Sequence, residues 1–385
     1  WQDSAGTVPV TAVEQPVGRI LDKSGRGNHA TQATAMKRPV LSRRVNVLTE
    51  SEFRNGLSDA PTRGGLLTAS ALPGYLGAIA FAHDGLTASY SYKTITGFSN
   101  TPVIFSLVVR MDDGSAPRVG LDAGPLNDFR VIINGTFVLP SQQEIAPGVY
   151  RLTASATITS GVAPNFGVVK YDIDSTKTFK VTAYDLRLAT DAHLPYQWVN
   201  TDTDYDADPA KFPAYLRFDG VDDALQTGNI DFTGTDKMTV WAGVTKLSDA
   251  ASGAIAHTGI YDGTPGFLLA SPAAASSANM SFRARRSVLG PTCAVSGLVA
   301  PVNCVLAGHY DAASTTARAN GSQTIDASTA GTGNFASRPL RIGSQDGVGY
   351  FFNGRLYSLI VRGAQSSLSQ IEAGELYTKQ KMRLP

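Results

Sequence analysis

Apolar and polar residues alternate in many short segments of this chain, and the alternation dominates from about residue 77 onward. In the first half, the clearest segments are bounded by Gly, Pro, Asn or Asp: Leu86–Ile95, Phe105–Met111, Phe129–Ile133, Val149–Ile158 and Phe179–Leu188. Later segments of the same kind are Met238–Val244, Gly266–Leu269, Met280–Arg283, Cys304–Tyr310 and Tyr350–Val361. A period of two places alternate side chains on one face of a β-strand, so these segments predict an all-β protein.

Asn-Gly pairs mark three predicted turns between antiparallel strands, at Asn134–Gly135, Asn320–Gly321 and Asn353–Gly354. Both residues tolerate the positive φ that a two-residue type I′ turn requires. The 38 glycines and 20 prolines also suit many short strands joined by tight turns. The predicted sheets are therefore antiparallel.

One segment has helical spacing, with apolar residues at positions 368, 371 and 376 on one side. It predicts a short helix over Leu368–Met382 that Ser367 or Ser369 caps. No other part of the chain has comparable helical character. We therefore expect a single, C-terminal helix.

Length and charge limit the partners that the chain can have. Its 385 residues suit two domains, each with its own core. The 33 Lys and Arg residues nearly balance the 32 Asp and Glu residues, so overall charge does not favour nucleic acid or an anionic membrane. The apolar run Val103–Val109 is far shorter than the ~18 residues of a membrane-spanning helix. We expect no nucleic-acid partner and no membrane insertion, and the start at Trp1 suggests a piece of a longer protein.

A motif divided between two distant segments indicates an inserted domain. Asp22–Thr31 reads DKSGRGNHAT, and Tyr215–Leu225 reads YLRFDGVDDAL. Together they resemble laminin-G/concanavalin-A-like jelly rolls, in which a D-x-S-G-x-G-N-H turn is closely followed by F-D-G-x-D-D. The resemblance implies that residues 1–43 and 198–385 form one jelly-roll β-sandwich. Residues 44–197 would then be inserted into one of its surface loops.

Further segments carry the resemblance in both parts of the chain. Val305–Asp311 is similar to the h-V-A-x-x-Y-D strand of the laminin-G-like family, and Leu368–Tyr377 is similar to its L-S-x-x-E-I helix. In residues 45–197, Pro102–Arg110 and Gly148–Thr153 resemble strands of carbohydrate-binding-module-like jelly rolls. The fold class implied is all-β, with two antiparallel jelly-roll sandwiches and a short C-terminal helix.

Three segments are similar to structural and tail-fibre-associated proteins of tailed bacteriophages: Gly18–Thr34, Arg43–Thr49 and Pro195–Asp206. This resemblance implies a location on the virion, at the tail or capsid surface. It also implies two kinds of partner, a host-surface glycan and other virion proteins. A homo-oligomer such as a trimer is common in fibres, although the sequence has no coiled-coil heptads to predict one.

Motifs for covalent chemistry are missing from the sequence. There is no G-x-S-x-G elbow, and the five histidines stand far apart. Gly25–Ala30 satisfies G-x-G-x-x-A, but its all-β context favours a turn over a dinucleotide site. Cys293 and Cys304 either bridge across a hairpin or are two buried thiols. A glycosidase would need facing carboxylates, for which Asp172, Asp174 and Asp185 are candidates, although positions in turns or at the rim explain them better.

Aspartates form one candidate metal site. Asp219, Asp222 and Asp223 share a loop, and Asp22 joins them if the divided motif is closed by the fold. Such oxygen ligands suit Ca²⁺, which the resemblance to jelly-roll lectins also implies. The alternative is that these aspartates cap β-turns. Arg355 and Tyr357 stand where members of the laminin-G-like family commonly have an acidic residue, and this departure speaks against the metal.

Sugar binding without catalysis requires aromatic rings that stack on the sugar, together with a few polar groups. The candidate side chains are Tyr90, Tyr92, Trp198, Tyr261 and Tyr310, each of which could instead belong to a core. The sequence thus favours a non-enzymatic phage attachment protein that binds glycan. The alternatives are a glycan-degrading tail enzyme and a purely architectural capsid or fibre component.

Overall fold

The computed structural model describes residues 1–49, 62–65, 67–75, 77–82, 88–95, 98, 100–122, 126–159, 164–171, 176–347 and 349–385. These residues fall into two compact units. The outer unit comprises Trp1–Arg43 and Asp208–Pro385, and the inserted unit comprises Arg44–Ala207. Residues 198–207, which the sequence pattern placed with the outer part, group with the inserted unit.

Strands account for most of the regular structure in the described residues. The first strands of the outer unit are β1 (Gln15–Pro16), β2 (Arg19–Ile20), β3 (Ala30–Thr31) and β4 (Val40–Ser42). Those of the inserted unit are β5 (Thr62–Gly64), β6 (Leu67–Ser70), β7 (Ala78–Phe81), β8 (Ala88–Thr94), β9 (Thr101–Met111), β10 (Arg130–Ile133), β11 (Thr136–Val138), β12 (Ser141–Ala146), β13 (Val149–Ile158), β14 (Asn165–Tyr171) and β15 (Phe179–Leu188). The outer unit continues with β16 (Tyr215–Asp219), β17 (Leu225–Asp231), β18 (Met238–Lys246), β19 (Ala254–His257), β20 (Gly266–Ala270), β21 (Asn279–Arg285), β22 (Cys293–Ser296), β23 (Val302–Tyr310), β24 (Thr315–Ala319), β25 (Ser322–Asp326), β26 (Ser337–Ile342) and β27 (Asn353–Arg362), followed by helix α1 (Leu368–Lys381). Short 3₁₀ turns occur at Ala35–Lys37 and Ala189–Asp191.

Two antiparallel sheets form the outer unit. Over its described residues, sheet I has the order β1-β4-β16-β27-β18-β23-β24-β25, and sheet II has the order β2-β3-β17-β26-β19-β20-β21-β22. Strands that precede the inserted unit pair directly with strands that follow it: β4 lies beside β16, and β3 lies beside β17. Apolar side chains of both sheets pack into one core, which includes Phe218, Phe267, Phe282 and Ile342. The first residues of the chain thus contribute strands to both layers of this sandwich.

The inserted unit is a second sandwich. Its described strands form sheet III, in the order β11-β10-β14-β8-β5, and sheet IV, in the order β12-β13-β9-β15-β7-β6. Phenylalanines from both sheets fill the core: Phe81, Phe105, Phe129, Phe166 and Phe179. Alternating apolar residues form these strands because every second side chain enters the core. The fold class expected from the sequence, two antiparallel jelly-roll sandwiches and a short C-terminal helix, is confirmed.

Helix α1 covers part of the outer face of sheet I. It begins after Ser367, whose hydroxyl accepts a hydrogen bond from the Gln370 N–H at 3.3 Å, as a capping box requires. The indole Nε1 of Trp241 in β18 donates to the Ile371 carbonyl at 3.1 Å. Arg318 Nε in β24 donates to Glu375 Oε1 at 2.7 Å. The helix contacts β18, β23 and β27, which are all strands of sheet I. Among the described residues, no helix is long and apolar enough to cross a membrane.

Two of the three predicted Asn-Gly turns are confirmed. Asn134–Gly135 joins β10 to β11 and Asn320–Gly321 joins β24 to β25, with positive φ at all four residues. The third prediction is wrong, because Asn353 and Gly354 are the first residues of β27 and pair with β16. A side chain at position 354 would collide with the Phe352 ring and the Thr245 carbonyl. Close packing, rather than a turn, requires this glycine.

The cysteines are two buried free thiols. Cys293 lies in sheet II and Cys304 in sheet I, where the core packs around both. Burial raises the pKa of both thiols, that of Cys304 to about 12. Thiols with raised pKa values hold little reactive thiolate at neutral pH.

Candidate functional site

One row of side chains crosses the middle of sheet II. The row consists of residues paired in register on five neighbouring strands: Gln226, Arg341, His257, Leu268 and Arg283. Directly opposed residues of antiparallel strands project to the same side of a sheet. The adjacent residues along these strands lie in the core: Ala256, Leu269, Phe282 and Ile342. The row therefore lies on the outer face of sheet II, and we call it the cross-strand row.

A small depression lies beside this row. Buried side chains of β19 and β20, including Leu268, form its floor, and Tyr261, Gln345 and Tyr350 from the flanking loops line it as well. It contains about 220 Å³ of empty space, part of which is open solvent. Because part of this space is open solvent, a ligand bound at the depression would also contact solvent.

Tyr261 and Tyr350 are the exposed aromatic residues of the depression, at 47% and 55% of their maximal exposure. Tyr350 has a φ of 51°, in the left-handed region that bulky residues rarely adopt. Its carbonyl accepts a hydrogen bond from the Ala254 N–H at 2.8 Å, which ties the loop to β19. A strained backbone that is fixed in this way places the side chain at a defined position.

His257 supports Tyr261 from below. The two rings stack with centroids 6.4 Å apart and an interplanar angle of 19°. His257 is fully buried, and neither ring nitrogen has a hydrogen-bond partner among the described residues. Its Nδ1 lies 3.7 Å from Oδ1 of Asp346, which in turn accepts a hydrogen bond from Arg341 Nη1 at 2.9 Å. Burial lowers the pKa of His257 to about 4, so the imidazole is neutral at physiological pH.

A second aromatic surface lies on sheet III of the inserted unit. Tyr90 and Tyr92 of β8 stack with ring centroids 5.5 Å apart and an interplanar angle of 26°. Ser89 and Ser91 are buried while both tyrosines are half-buried, so the tyrosines face away from the core. Gly167 lies opposite Tyr92, and a Cβ there would be 2.5 Å from the Tyr92 Cα. We call this pair the Tyr90–Tyr92 surface.

The remaining predicted aromatic residues lie elsewhere. Tyr310 is fully buried, and its hydroxyl accepts a hydrogen bond from the Ala330 N–H at 3.1 Å. Its ring packs edge-on against Phe335, on the inner face of β23. The prediction that Tyr310 binds a ligand is therefore corrected. Trp198 belongs to the inserted unit and is half-buried, and its carbonyl accepts from the Asp206 N–H at 2.8 Å.

The aspartate cluster contains three of the four predicted members. Oxygens of Asp219, Asp222 and Asp223 lie within 4.8 Å of one another, and Asp22 is not part of this group. Asp22 instead holds its own turn, where its Oδ1 accepts from the Ser24 N–H at 2.8 Å. The divided motif is thus assembled by strand pairing without bringing this carboxylate into the cluster.

Hydrogen bonds within the loop explain much of the aspartate cluster. Asp219 Oδ1 accepts from the Val221 N–H at 2.8 Å, and Asp223 Oδ2 accepts from the Asp219 N–H at 3.1 Å. Burial, together with the charge of Asp219, raises the pKa of Asp223 to about 6. The donor type suits Ca²⁺, but with one oxygen from each carboxylate the cluster supplies three of its six to eight oxygen ligands, and other oxygens would have to complete the site. The residues fit the ion only in part, and the calcium site stays a prediction.

The carboxylates considered for glycoside hydrolysis do not form a described pair. Asp172 and Asp174 lie outside the described residues. Asp185 is buried, and its Oδ1 accepts from Arg187 Nε at 2.9 Å. A catalytic carboxylate has to face a cleft, which Asp185 does not.

The sequence pattern missed four residues of the site at sheet II: Tyr350, Gln345, His257 and Asp346. They come from two segments about 90 positions apart, which meet because β26 lies beside β19. One local signal in the sequence pointed to Tyr350. Gly347 and Gly349 lie just before it in the chain, and two closely spaced glycines indicate a turn.

No protein-family model matches the sequence, and no curated protein is detectably similar to it. Among solved structures, the chain is similar to a SAP-like pentraxin from Limulus polyphemus, with 12% identity, 40% of this chain and 78% of that chain covered, and a TM-score of 0.33. It is also similar to the CBM40 module of the Ruminococcus gnavus IT-sialidase (14% identity, 39% and 97% covered, TM-score 0.31). A third similar structure is the LG4-5 pair of the mouse laminin α1 chain (10% identity, 80% and 96% covered, TM-score 0.30). At these identities and TM-scores, the similarities assign neither a family nor a ligand to this chain.

Proposed function

We propose that this protein is a non-enzymatic glycan-binding protein, and that the depression of sheet II is its binding site. The observation that carries the proposal is the pair of exposed tyrosines, Tyr261 and Tyr350, held at the depression by the His257 ring and by the Ala254 hydrogen bond. Aromatic rings stack on the flat C–H faces of sugars, and the Gln345 amide can exchange hydrogen bonds with hydroxyl groups.

The openness of the depression favours a chain-like ligand. The exposed rings of Tyr261 and Tyr350 can contact one sugar residue, while the neighbouring residues of an oligosaccharide extend along the outer face of sheet II. That face is free of α1, which contacts sheet I. A surface polysaccharide of a host cell has this extended form.

The carboxylates near the depression are paired with arginines, and this pairing favours binding without catalysis. Asp346 pairs with Arg341, and Asp262 pairs with Arg338. A glycosidase needs one carboxyl group that donates a proton and a second that acts as nucleophile or base. Carboxylates whose oxygens accept hydrogen bonds from arginine are occupied by that contact and are poorly placed to donate a proton to a glycosidic oxygen.

The biological setting is proposed from sequence resemblance alone. Gly18–Thr34 and Pro195–Asp206 resemble tail-associated bacteriophage proteins. In that setting, the protein is located on the virion, attaches it to a host-surface glycan and contacts other virion proteins, as a homo-oligomer if it belongs to a fibre. An architectural capsid or fibre component is the alternative role.

A glycan array with the purified chain tests the proposal. We expect retention of at least one oligosaccharide class, with affinity reduced at least 10-fold by Tyr261→Ala and by Tyr350→Ala. Tyr377→Ala is the matched control, because Tyr377 is 45% exposed but lies on α1. Loss of binding in the control alone, or unchanged binding in both site variants, would overturn the proposed site. Release of reducing ends from a bound glycan would favour the enzyme instead.

A further inference from the structure

We infer that the glycan bound at sheet II carries an anionic group, a carboxylate or a sulfate ester, and that Arg283 and Arg285 bind it. The inference rests on the proposed function and adds the chemical class of the ligand. It follows from where these two arginines lie and from what they contact.

Both arginines start from β21, next to the depression. Arg283 belongs to the cross-strand row and lies opposite Leu268, which forms part of the floor. Arg285 is two residues further along the same strand and therefore on the same face. The Nη1 of Arg285 donates to the Ile260 carbonyl at 3.2 Å, and Ile260 directly precedes Tyr261 in the chain. One ligand can thus reach both the tyrosine and the two guanidinium groups.

The four arginines of this region divide into two kinds. Arg341 and Arg338 each have a carboxylate partner, Asp346 and Asp262 respectively. Within the described part of the chain, Arg283 and Arg285 have none, and their side-chain contacts are with backbone carbonyl groups.

The two unpaired guanidinium groups retain many unused donors. Arg283 Nε donates to the Gly290 carbonyl at 2.8 Å, whereas the Nε of Arg285 is buried and has no partner among the described residues. A guanidinium group has five N–H donors in a planar fork. Carboxylate and sulfate oxygens match that fork, often through two parallel hydrogen bonds.

Electrostatics points the same way. Both side chains are half-buried, and they carry like charges two positions apart on one strand face. Like charges on one partly buried face repel each other, and an anion bound by both guanidinium groups would offset that repulsion. A purely structural role, tying loops to β21, would need only one donor from each side chain.

Matched pairs of probes test the inference: sialyllactose with lactose, tetragalacturonate with its carboxyl-reduced form, and sulfated dextran oligomers with dextran oligomers. We expect at least one acidic probe to bind 10-fold or more tightly than its neutral partner, with affinity that falls as salt is raised. Arg283→Gln combined with Arg285→Gln should abolish the preference for the acidic probe. It should leave the weak binding of the neutral probe unchanged.

Controls separate charge, geometry and folding. Arg217→Gln removes one positive charge from sheet I, where Arg217 pairs with Glu14, and should preserve the preference. The double lysine variant of positions 283 and 285 keeps the charge and loses the fork, so it should bind the acidic probe with intermediate affinity. Thermal melting of each variant reports whether it folds.

The outcomes distinguish this inference from the proposed function. Equal binding of acidic and neutral probes, with a normal effect of Tyr261→Ala, would overturn the inference and leave the proposed function intact. A preference for acidic probes that survives in the folded double glutamine variant would also overturn it. Binding of no glycan, or binding that Tyr261→Ala does not change, would overturn the proposed function itself.

Discussion

The two aromatic surfaces of this protein are built in different ways. At sheet II, Tyr261 and Tyr350 come from separate loops and line a depression next to the cross-strand row. On sheet III, Tyr90 and Tyr92 come from one strand and stack on each other. The first surface therefore offers a concave site with several kinds of polar group, whereas the second offers mainly ring surface.

This difference bears on function. Tyrosines that stack on each other each lose part of one ring face to the neighbour. Specific ligand sites combine an apolar surface with a few placed polar groups, and the depression has these in Gln345 and the cross-strand row. We therefore expect the depression to dominate binding. The two surfaces also differ in what disrupts them.

The largest effect is expected at Gly167, where strand packing leaves no room for a side chain. Gly167→Ala places a Cβ 2.5 Å from the Tyr92 Cα and against the Ser91 carbonyl, so β8 and β14 have to separate. We expect a loss of about 3 kcal/mol or more in the stability of the inserted unit. Hydrogen exchange of β8 and β14 measures it. Gly228→Ala, which meets nothing within 4 Å, should change stability by less than about 0.5 kcal/mol.

A pH change should affect the sheet II surface through His257. Because burial lowers the pKa of His257 from 6.5 to about 4, its contribution to stability is complete above pH 6.5 and is lost as the pH falls towards 4. Asp346 faces the ring, and Arg341 and Asp262 act on it at longer range. We expect a loss on the order of 2–3 kcal/mol across this range.

The variant His257→Phe keeps an aromatic ring next to Tyr261 and removes the titratable imidazole group. Denaturant unfolding of both proteins at several pH values should give a flatter pH profile for the variant. Parallel profiles would contradict the role assigned to His257. Glycan affinity measured in the same range should fall at low pH only while His257 is present.

Paired tyrosine substitutions compare the two surfaces directly. Tyr261→Ala with Tyr350→Ala should weaken glycan binding at least 30-fold, or about 2 kcal/mol. Tyr90→Ala with Tyr92→Ala should weaken it less than 3-fold. Titration calorimetry with the best ligand of the array measures both. The reverse order of effects would move the binding site to sheet III.

The smallest effect is expected at the aspartate cluster. Burial and the charge of Asp219 raise the pKa of Asp223 to about 6, so its charged form opposes folding and stability is lost as the pH rises from 3.8 through 6. Asp223→Asn should therefore stabilise the outer unit by about 1 kcal/mol at pH 7.5, and its advantage should vanish below pH 3.8. Added Ca²⁺ should stabilise the parent protein more than the variant if the cluster binds the ion, which thermal melting measures.

Local patterns predicted the elements whose cause is local. The strands follow from alternation, the turns at Asn134–Gly135 and Asn320–Gly321 follow from positive φ, and the helix follows from its spacing and the Ser367 cap. That Tyr90 and Tyr92 share one face of β8 follows from their separation by two positions within one strand. In each case a few consecutive residues contain the whole physical reason.

Positions whose role depends on distant neighbours were predicted less well. Gly354 looks like a turn residue, yet packing against Phe352 and Thr245 decides its role. Tyr310 looks like a ring available for stacking, yet its strand turns it into the core. Alternation indicates that a strand has two faces without indicating which face another sheet covers.

The sequence by itself determined that this protein is built of antiparallel strands with one capped helix, because backbone preferences and side-chain alternation act over a few residues. Only the tertiary structure decided that Arg341, His257, Leu268 and Arg283 share one row and that Tyr350 lies at a depression with Tyr261. The order of strands in sheet II sets these neighbours. That order depends on how two whole sheets bury their apolar faces together, which no short segment encodes.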